Sequence, residues 1–238
     1  MKSIFASLLF LLVFTACDDD SGAPVIEGEL KIMPLGDSRV EGGRPDHESY
    51  RYALWKEMVE EGWSMDFVGT RRDGAGYPDY LDQGFDRDHE GTGGAVTADI
   101  LETVNKITAA AAPDVVLLGI GGNDLLQGLS VDQAIDNVDQ IIGVLQGLND
   151  SVTILVEQIP PGRSDIMDAS RRTNFEEYNS RIPGLTASRT TASSIVIAVD
   201  MSLGWQDTFL ADPVHYNEIG AELVANRYFK VMDAVLGQ

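Results

Sequence analysis

Val115-Val116-Leu117-Leu118-Gly119-Ile120-Gly121-Gly122-Asn123-Asp124 is the stretch on which the fold turns. From Val115 to Ile120 it is a run of leucine and β-branched residues with no polar alternation. A strand of that kind is buried on both faces, which happens in parallel sheets covered by helices on both sides. Leu30–Leu35, closed by Gly36, and Met65–Val68 are further strand candidates, and Val152–Val156 and Ile195–Val199 repeat the unalternating pattern. Helical spacing fills the intervals. Tyr50–Glu61 carries Ala53, Leu54 and Met58 before Gly62 breaks it. Val131, Ala134, Ile135, Val138, Ile141, Ile142, Leu145 and Leu148 form one stripe at the 3.6-residue period, and Ile219, Leu223, Val224, Tyr228, Val231, Met232 and Val235 form another, with Asn217 placed to cap it. Strands alternating with helices predict an α/β domain built on a parallel sheet. Arg71–Gly94, rich in Gly and Asp, has neither period, and a loop of that length in a compact domain is usually functional or mobile.

The beginning of the chain reads differently. Lys2 precedes an almost unbroken apolar run from Ile4 to Phe14, too short to span a bilayer, which takes roughly 20 residues. It reads as a secretory signal peptide over residues 1–16. Thr15-Ala16-Cys17 resembles a bacterial lipobox, which implies that Cys17 is lipidated, although Phe14 stands where leucine is usual. Asp18–Asp20 with Ser21-Gly22 then read as the start of an acidic tether over residues 17–29, leaving 30–238 as a single domain. Cys17 is the only cysteine, so no intramolecular disulfide forms. A formal charge of −21 argues against nucleic acid or an anionic membrane surface as partner. The expected location is the bacterial cell envelope, periplasmic or surface-exposed, with the membrane engaged only through the lipid.

In open α/β sheets, ligands bind beyond the carboxyl ends of the strands. The first strand ends in Gly36-Asp37-Ser38, which can project a hydroxyl into such a site, and serine needs a base to become a nucleophile. The chain has three histidines. His47, among charged residues, reads as a surface or capping residue; His89 lies in the long loop; His215 follows Asp212 by three positions. That spacing lets the Asp212 carboxylate reach Nδ1 of His215, leaving Nε2 for Ser38. Each feature taken alone also has a structural use: a capping serine, a capping aspartate beside a half-exposed histidine, an Asn-Asp turn, a flexible glycine loop. Asn123 and a backbone N–H of the segment His89-Glu90-Gly91-Thr92-Gly93-Gly94 are candidate donors to an oxyanion. A GxGxxG dinucleotide loop is excluded, because its third glycine falls on Asp124. Neither Asp86, Asp88 and His89 nor Asp212 and His215 have a zinc spacing, and no metal or organic cofactor is expected.

Taken together, in this chain order, these segments resemble the SGNH (GDSL-type) hydrolases. Gly36-Asp37-Ser38 matches the first block of that family, Gly94 the second, Gly121-Gly122-Asn123-Asp124 the third and Asp212-x-x-His215 the fifth. The resemblance implies a flavodoxin-like three-layer α/β/α sandwich around a five-stranded parallel sheet. It also implies Ser38, Asp212 and His215 as catalytic triad, and Ser38, Gly94 and Asn123 as oxyanion donors, with Gly91 the alternative to Gly94. Arg39 departs from the hydrophobic residue that often follows the serine. Met33–Ser38, Tyr50-Arg51-Tyr52 with Leu54-Trp55, Asp66–Gly69, Asp88–Gly91 and His215-Tyr216-Asn217 resemble more narrowly the family-three carbohydrate esterases, which remove acetyl groups from xylan. The implied substrate is an acetylated oligo- or polysaccharide. The alternatives are an esterase on another acyl group, such as a lysophospholipase, thioesterase or short-chain lipase, and a non-catalytic glycan-binding lipoprotein.

Overall fold

The computed structural model describes residues 29–237. The predicted signal segment 1–16, Cys17 and the tether up to residue 28 lie outside them. In chain order the elements are β1 (Leu30–Gly36), α1 (Ser38–Glu41), α2 (Arg51–Glu60), β2 (Met65–Phe67), β3 (Arg71–Arg72), β4 (Asp88–Gly91), α3 (Thr97–Ala111), β5 (Val115–Gly119), α4 (Gly122–Leu126), α5 (Val131–Leu148), β6 (Thr153–Gln158), α6 (Ala169–Arg189), β7 (Val196–Asp200), a 3₁₀ turn (Asp207–Phe209) and α7 (Glu218–Leu236).

The sheet runs β3-β4-β1-β5-β6-β7, with β2 also paired to β1; all pairs are parallel except β3 with β4. Successive side chains of a strand point to opposite faces, and each face here has its own core. Met33, Leu35, Val116, Leu118, Ile154 and Val156 pack with α3, α5 and α6. Leu30, Ile32, Val115, Leu117 and Leu155 pack with α2 and α7. The result is the three-layer α/β/α sandwich expected from the sequence.

Seven strands stand where five are expected, and the difference is local. β2 and β4 share one edge of β1: β2 lies along Leu30–Ile32, and β4 along Leu35–Gly36. Carbonyls on that edge serve both short strands, since Ile32 O accepts from Val68 N and Gly36 O from Thr92 N. Pro34 shares their parity, so the N–H that proline lacks falls in the gap between the two short strands. A proline inside a central strand is thereby accommodated without an orphaned partner.

Helices α3 and α6 present contrasting faces to the first of these cores. The buried positions of α3 are Thr97, Ile100, Val104 and Thr108, two of them threonine. Those of α6 are Phe175, Tyr178, Ile182 and Thr186, a narrow stripe in a polar sequence that also contains Pro183.

Candidate active site

The carboxyl ends of β1 and β5 lie side by side at Gly36 and Gly119. They approach so closely that a Cβ on Gly36 would stand 2.0 Å from the Gly119 carbonyl oxygen. Past Gly36 the chain turns at once into α1, where Asp37 is the N-cap and accepts from Arg39 N at 2.9 Å. Ser38 is therefore the first residue of a one-turn helix at the end of a central strand. Burial raises the pKa of Asp37, opposed by the Arg39 charge and that N–H.

Asp212 and His215 lie in the turn between the 3₁₀ element and α7. Asp212 Oδ1 accepts from the backbone N–H of Val214 (2.8 Å) and His215 (2.7 Å), and Ala211 N donates to His215 O, closing the turn. Asp212 Oδ2 lies 2.6 Å from His215 Nδ1, and His215 Nε2 lies 2.9 Å from Ser38 Oγ. The fold thus joins a serine to a histidine 177 positions downstream. Burial alone would raise the pKa of Asp212, but the His215 ring and the two backbone N–H groups outweigh it and hold the carboxyl down at about 2. An ionised Asp212 requires the proton on Nδ1, which leaves Nε2 as an acceptor facing the serine.

The glycine-rich loop after β4 faces the same end. The N–H of Gly91 is engaged, donating to His89 Nδ1 at 3.0 Å. Neither Ser38 N nor Gly94 N has a protein acceptor among the described residues. Gly94 has φ +75°, a conformation in which glycine carries no steric cost. Asn123 Nδ2 donates one hydrogen to Ala95 O at 2.9 Å, tying α4 to this loop and leaving the second amide hydrogen over. Asp124 fixes the loop from below, accepting from Thr97 N and Thr97 Oγ1.

Three residues that the sequence did not assign to the site hold it together. The Arg39 guanidinium donates to Val214 O (2.8 Å), Pro160 O (2.7 Å) and Pro161 O (3.4 Å), strapping the serine's helix to the histidine's turn. Arg51 is fully buried and donates to Val40 O, Glu41 O and Asp73 Oδ2, each at 2.8 Å, which pins the end of α1. His47 stacks on His215, with ring centroids 4.1 Å apart and planes at 22°. It gets there because the loop after α1 folds back, with bridges Gly43–His47 and Glu48–Tyr216. It is a site neighbour and not the plain surface residue that its charged sequence context suggests; its one advance signal is the scarcity of histidine.

The remaining residues are placed as follows. His89 is buried, and burial followed by the Arg51 charge holds its pKa down at about 3. Asp86 accepts from Phe67 N and Asp88 N, holding a turn. Ligand atoms of His47, Asp212 and His215 lie within 4.8 Å of one another, but both ring nitrogens of His215 are already engaged.

A strand-end serine in line with a histidine and a carboxylate, beside unengaged N–H donors, is the arrangement of the serine acyl hydrolases. Residues 35–223 match the GDSL-like Lipase/Acylhydrolase family, and the chain belongs to it. Among solved structures, the chain is similar to a family 3 carbohydrate esterase of Clostridium thermocellum, with 32% identity and TM-score 0.72 over 87% of this chain and 97% of that one. It is also similar to a carbohydrate esterase family 3 protein of Talaromyces cellulolyticus, with 29% identity and TM-score 0.76 over 87% and 98%. A multidomain esterase of Ruminococcus flavefaciens is 26% identical over 88% of this chain. The chain spans 29% and 60% of the lengths of the two curated relatives it matches.

Proposed function

We propose that the protein is a serine esterase that removes short acyl groups, acetyl above all, from a carbohydrate. The observation that carries this reading is the unbroken hydrogen-bonded line from Asp212 through His215 to Ser38. Ser38 Oγ attacks the ester carbonyl carbon while His215 Nε2 takes its proton. The tetrahedral oxyanion is met by Ser38 N–H, Gly94 N–H and the second hydrogen of Asn123 Nδ2; loss of one such donor typically costs about 10²–10³ in rate. Gly91 is the weaker candidate, because its N–H is already given to His89. Collapse of the intermediate expels the sugar oxygen, protonated by His215, and leaves acyl-Ser38. Water, deprotonated by the same imidazole, then releases the carboxylic acid. Asp212 holds the ring in the required tautomer and stabilises the imidazolium at both steps.

The acetyl-carbohydrate part of the reading is supported by the carbohydrate esterases among the relatives, and by an acidic chain suited to a neutral substrate. Attachment to the cell envelope through Cys17 belongs to the same proposal and rests on the lipobox-like sequence alone.

A fluorophosphonate probe labels wild type and does not label Ser38→Ala. On 4-nitrophenyl esters, the acetate is expected to react fastest; a rise toward octanoate would transfer the protein to long-chain acyl substrates. A wild type that is neither labelled nor active on any ester would leave a glycan-binding protein.

A further inference from the structure

A cavity of about 420 Å³ opens beside the turn that carries His215, and the chemistry proposed above does not use it. One wall is the segment after β6. Pro161 and Gly162 line the cavity, while the Pro160 and Pro161 carbonyls hold Arg39, next to Ser38. Arg163 N donates to Pro213 O at 2.8 Å, so this wall is bonded directly to the Asp212–His215 turn. Trp205 also lines the cavity, and its indole packs against Tyr216, the residue after His215, at 5.4 Å between ring centroids. Asp207 joins the Trp205 segment to the one after β6 by accepting from Ser164 N. The cavity is therefore the next compartment along the same end of the sheet.

Its lining is divided. Met167 and Phe175, both buried, and the half-buried Trp205 supply an apolar floor. Arg172 and Glu176, one turn apart on α6, stand exposed at the cavity, and neither makes a side-chain hydrogen bond or ion pair among the described residues. A donor and an acceptor left over above an aromatic floor fit a ring with an apolar C–H face and hydroxyls around its edge. An acyl chain would bury the floor but would make no use of the two charged groups. An anionic sugar would face Glu176 and Asp207 in a chain of formal charge −21. A volume in the few-hundred Å³ range is that of a small-ligand site.

We propose that this cavity is a subsite for a neutral sugar unit of the substrate chain, adjacent to the unit whose ester is cleaved. The inference rests on the carbohydrate esterase reading and adds to it that the protein acts on oligomers in preference to single sugars.

The test compares kcat/KM on acetylated xylotetraose, acetylated xylose and 4-nitrophenyl acetate for wild type, Trp205→Ala and the double variant Arg172→Ala/Glu176→Ala. The ratio of tetramer to 4-nitrophenyl acetate is expected to fall at least tenfold in Trp205→Ala and several-fold in the double variant, mainly through KM. The ratio of acetylated xylose to 4-nitrophenyl acetate is expected to hold. Trp205 leans on Tyr216, so a uniform loss in Trp205→Ala leaves the decision to the double variant, whose side chains are exposed. An unchanged tetramer ratio in the double variant overturns the proposal. So does a selective loss on 4-nitrophenyl octanoate, which would make the cavity an acyl pocket. If wild type cleaves no acetylated sugar, the carbohydrate esterase reading falls, and calorimetry with unacetylated xylotetraose then decides the subsite alone. Saturable binding weakened tenfold in Trp205→Ala sustains it, and no binding removes it.

Discussion

Asp212 and Glu157 both stand near the carboxyl end of the sheet, and the fold treats them in opposite ways. Asp212 has a side chain 43% exposed and three N–H groups directed at it, and its carboxyl is held at about 2. Glu157 is buried against Gly119, its hydrogen-bond partner is the Tyr228 hydroxyl at 2.7 Å, and burial pushes its carboxyl up to about 7. The contrast teaches that desolvation neutralises an acid unless N–H dipoles are brought to the charge. At neutral pH the exposed acid is the charged one and can serve an imidazolium; the buried one has half surrendered its charge and serves the packing under the site.

Removing the charge where the fold protects it has the largest expected effect. Asp212→Asn keeps the shape but loses the acceptor that fixes the tautomer of His215, and kcat on 4-nitrophenyl acetate is expected to fall by about 10⁴. A loss below tenfold would break the comparison on the Asp212 side. The same exchange at Glu157 removes a charge that the fold resists. Because its folded pKa is raised, Glu157 contributes stability that is fully present below its ordinary value of 4.5 and is lost as pH rises through about 7. At about 1.4 kcal/mol per pH unit, the loss is on the order of 3 kcal/mol. Glu157→Gln is expected to abolish that dependence and to raise Tm at pH 8 relative to wild type, with little change at pH 4.5, as followed by thermal melts across that range. Equal Tm differences at both pH values would place the Glu157 charge in solvent.

Arg39 links the two carboxylates. Its charge lowers the pKa of Glu157, against the larger effect of burial, and its three hydrogen bonds secure the turn that carries Asp212. Arg39→Met is expected to cost about 2 kcal/mol in chemical denaturation, the scale of a lost charged hydrogen bond. It also moves the Glu157 transition to higher pH, sharpening the comparison from the other side.

Much of this architecture is legible without coordinates, and the illegible parts share a cause. β5 announces itself because a strand buried on both faces offers no polar positions, and β6 and β7 carry similar apolar runs before their polar ends. Ser38, Asp212 and His215 stand out in the sequence because a strand end, a rare residue type and a spacing of three are local features; that they meet is a property of the fold. β3 and β4 are too short for a period to register, and α6 hides its core contacts among polar residues. Arg39 and His47 act through contacts with carbonyls or a ring far along the chain, and Arg51 through carbonyls of the preceding turn. Arg51 in particular reads as an ordinary helix charge until the carbonyls of Val40 and Glu41 are seen to converge on it.

The smallest effect concerns the stacked imidazoles. His47 lies over Gly43, where an added Cβ would come 2.4 Å from its ring, and its other face meets His215. Its pKa is lowered first by burial and then by the positive charge of His215, while Asp212, Asp46 and Glu48 pull it upward. In His215→Asn the second cause vanishes and the burial remains, so His47 is expected to titrate at higher pH than in wild type, read from its Cε1 proton by NMR. The converse variant, His47→Ala, removes the wall against which the His215 ring rests. It is expected to lower kcat several-fold with KM nearly constant, because a ring free to tilt spends less time aligned with Ser38. If His47 titrates identically with and without His215, the two rings do not share a face in solution, and His47 returns to the surface role that its charged neighbours suggest.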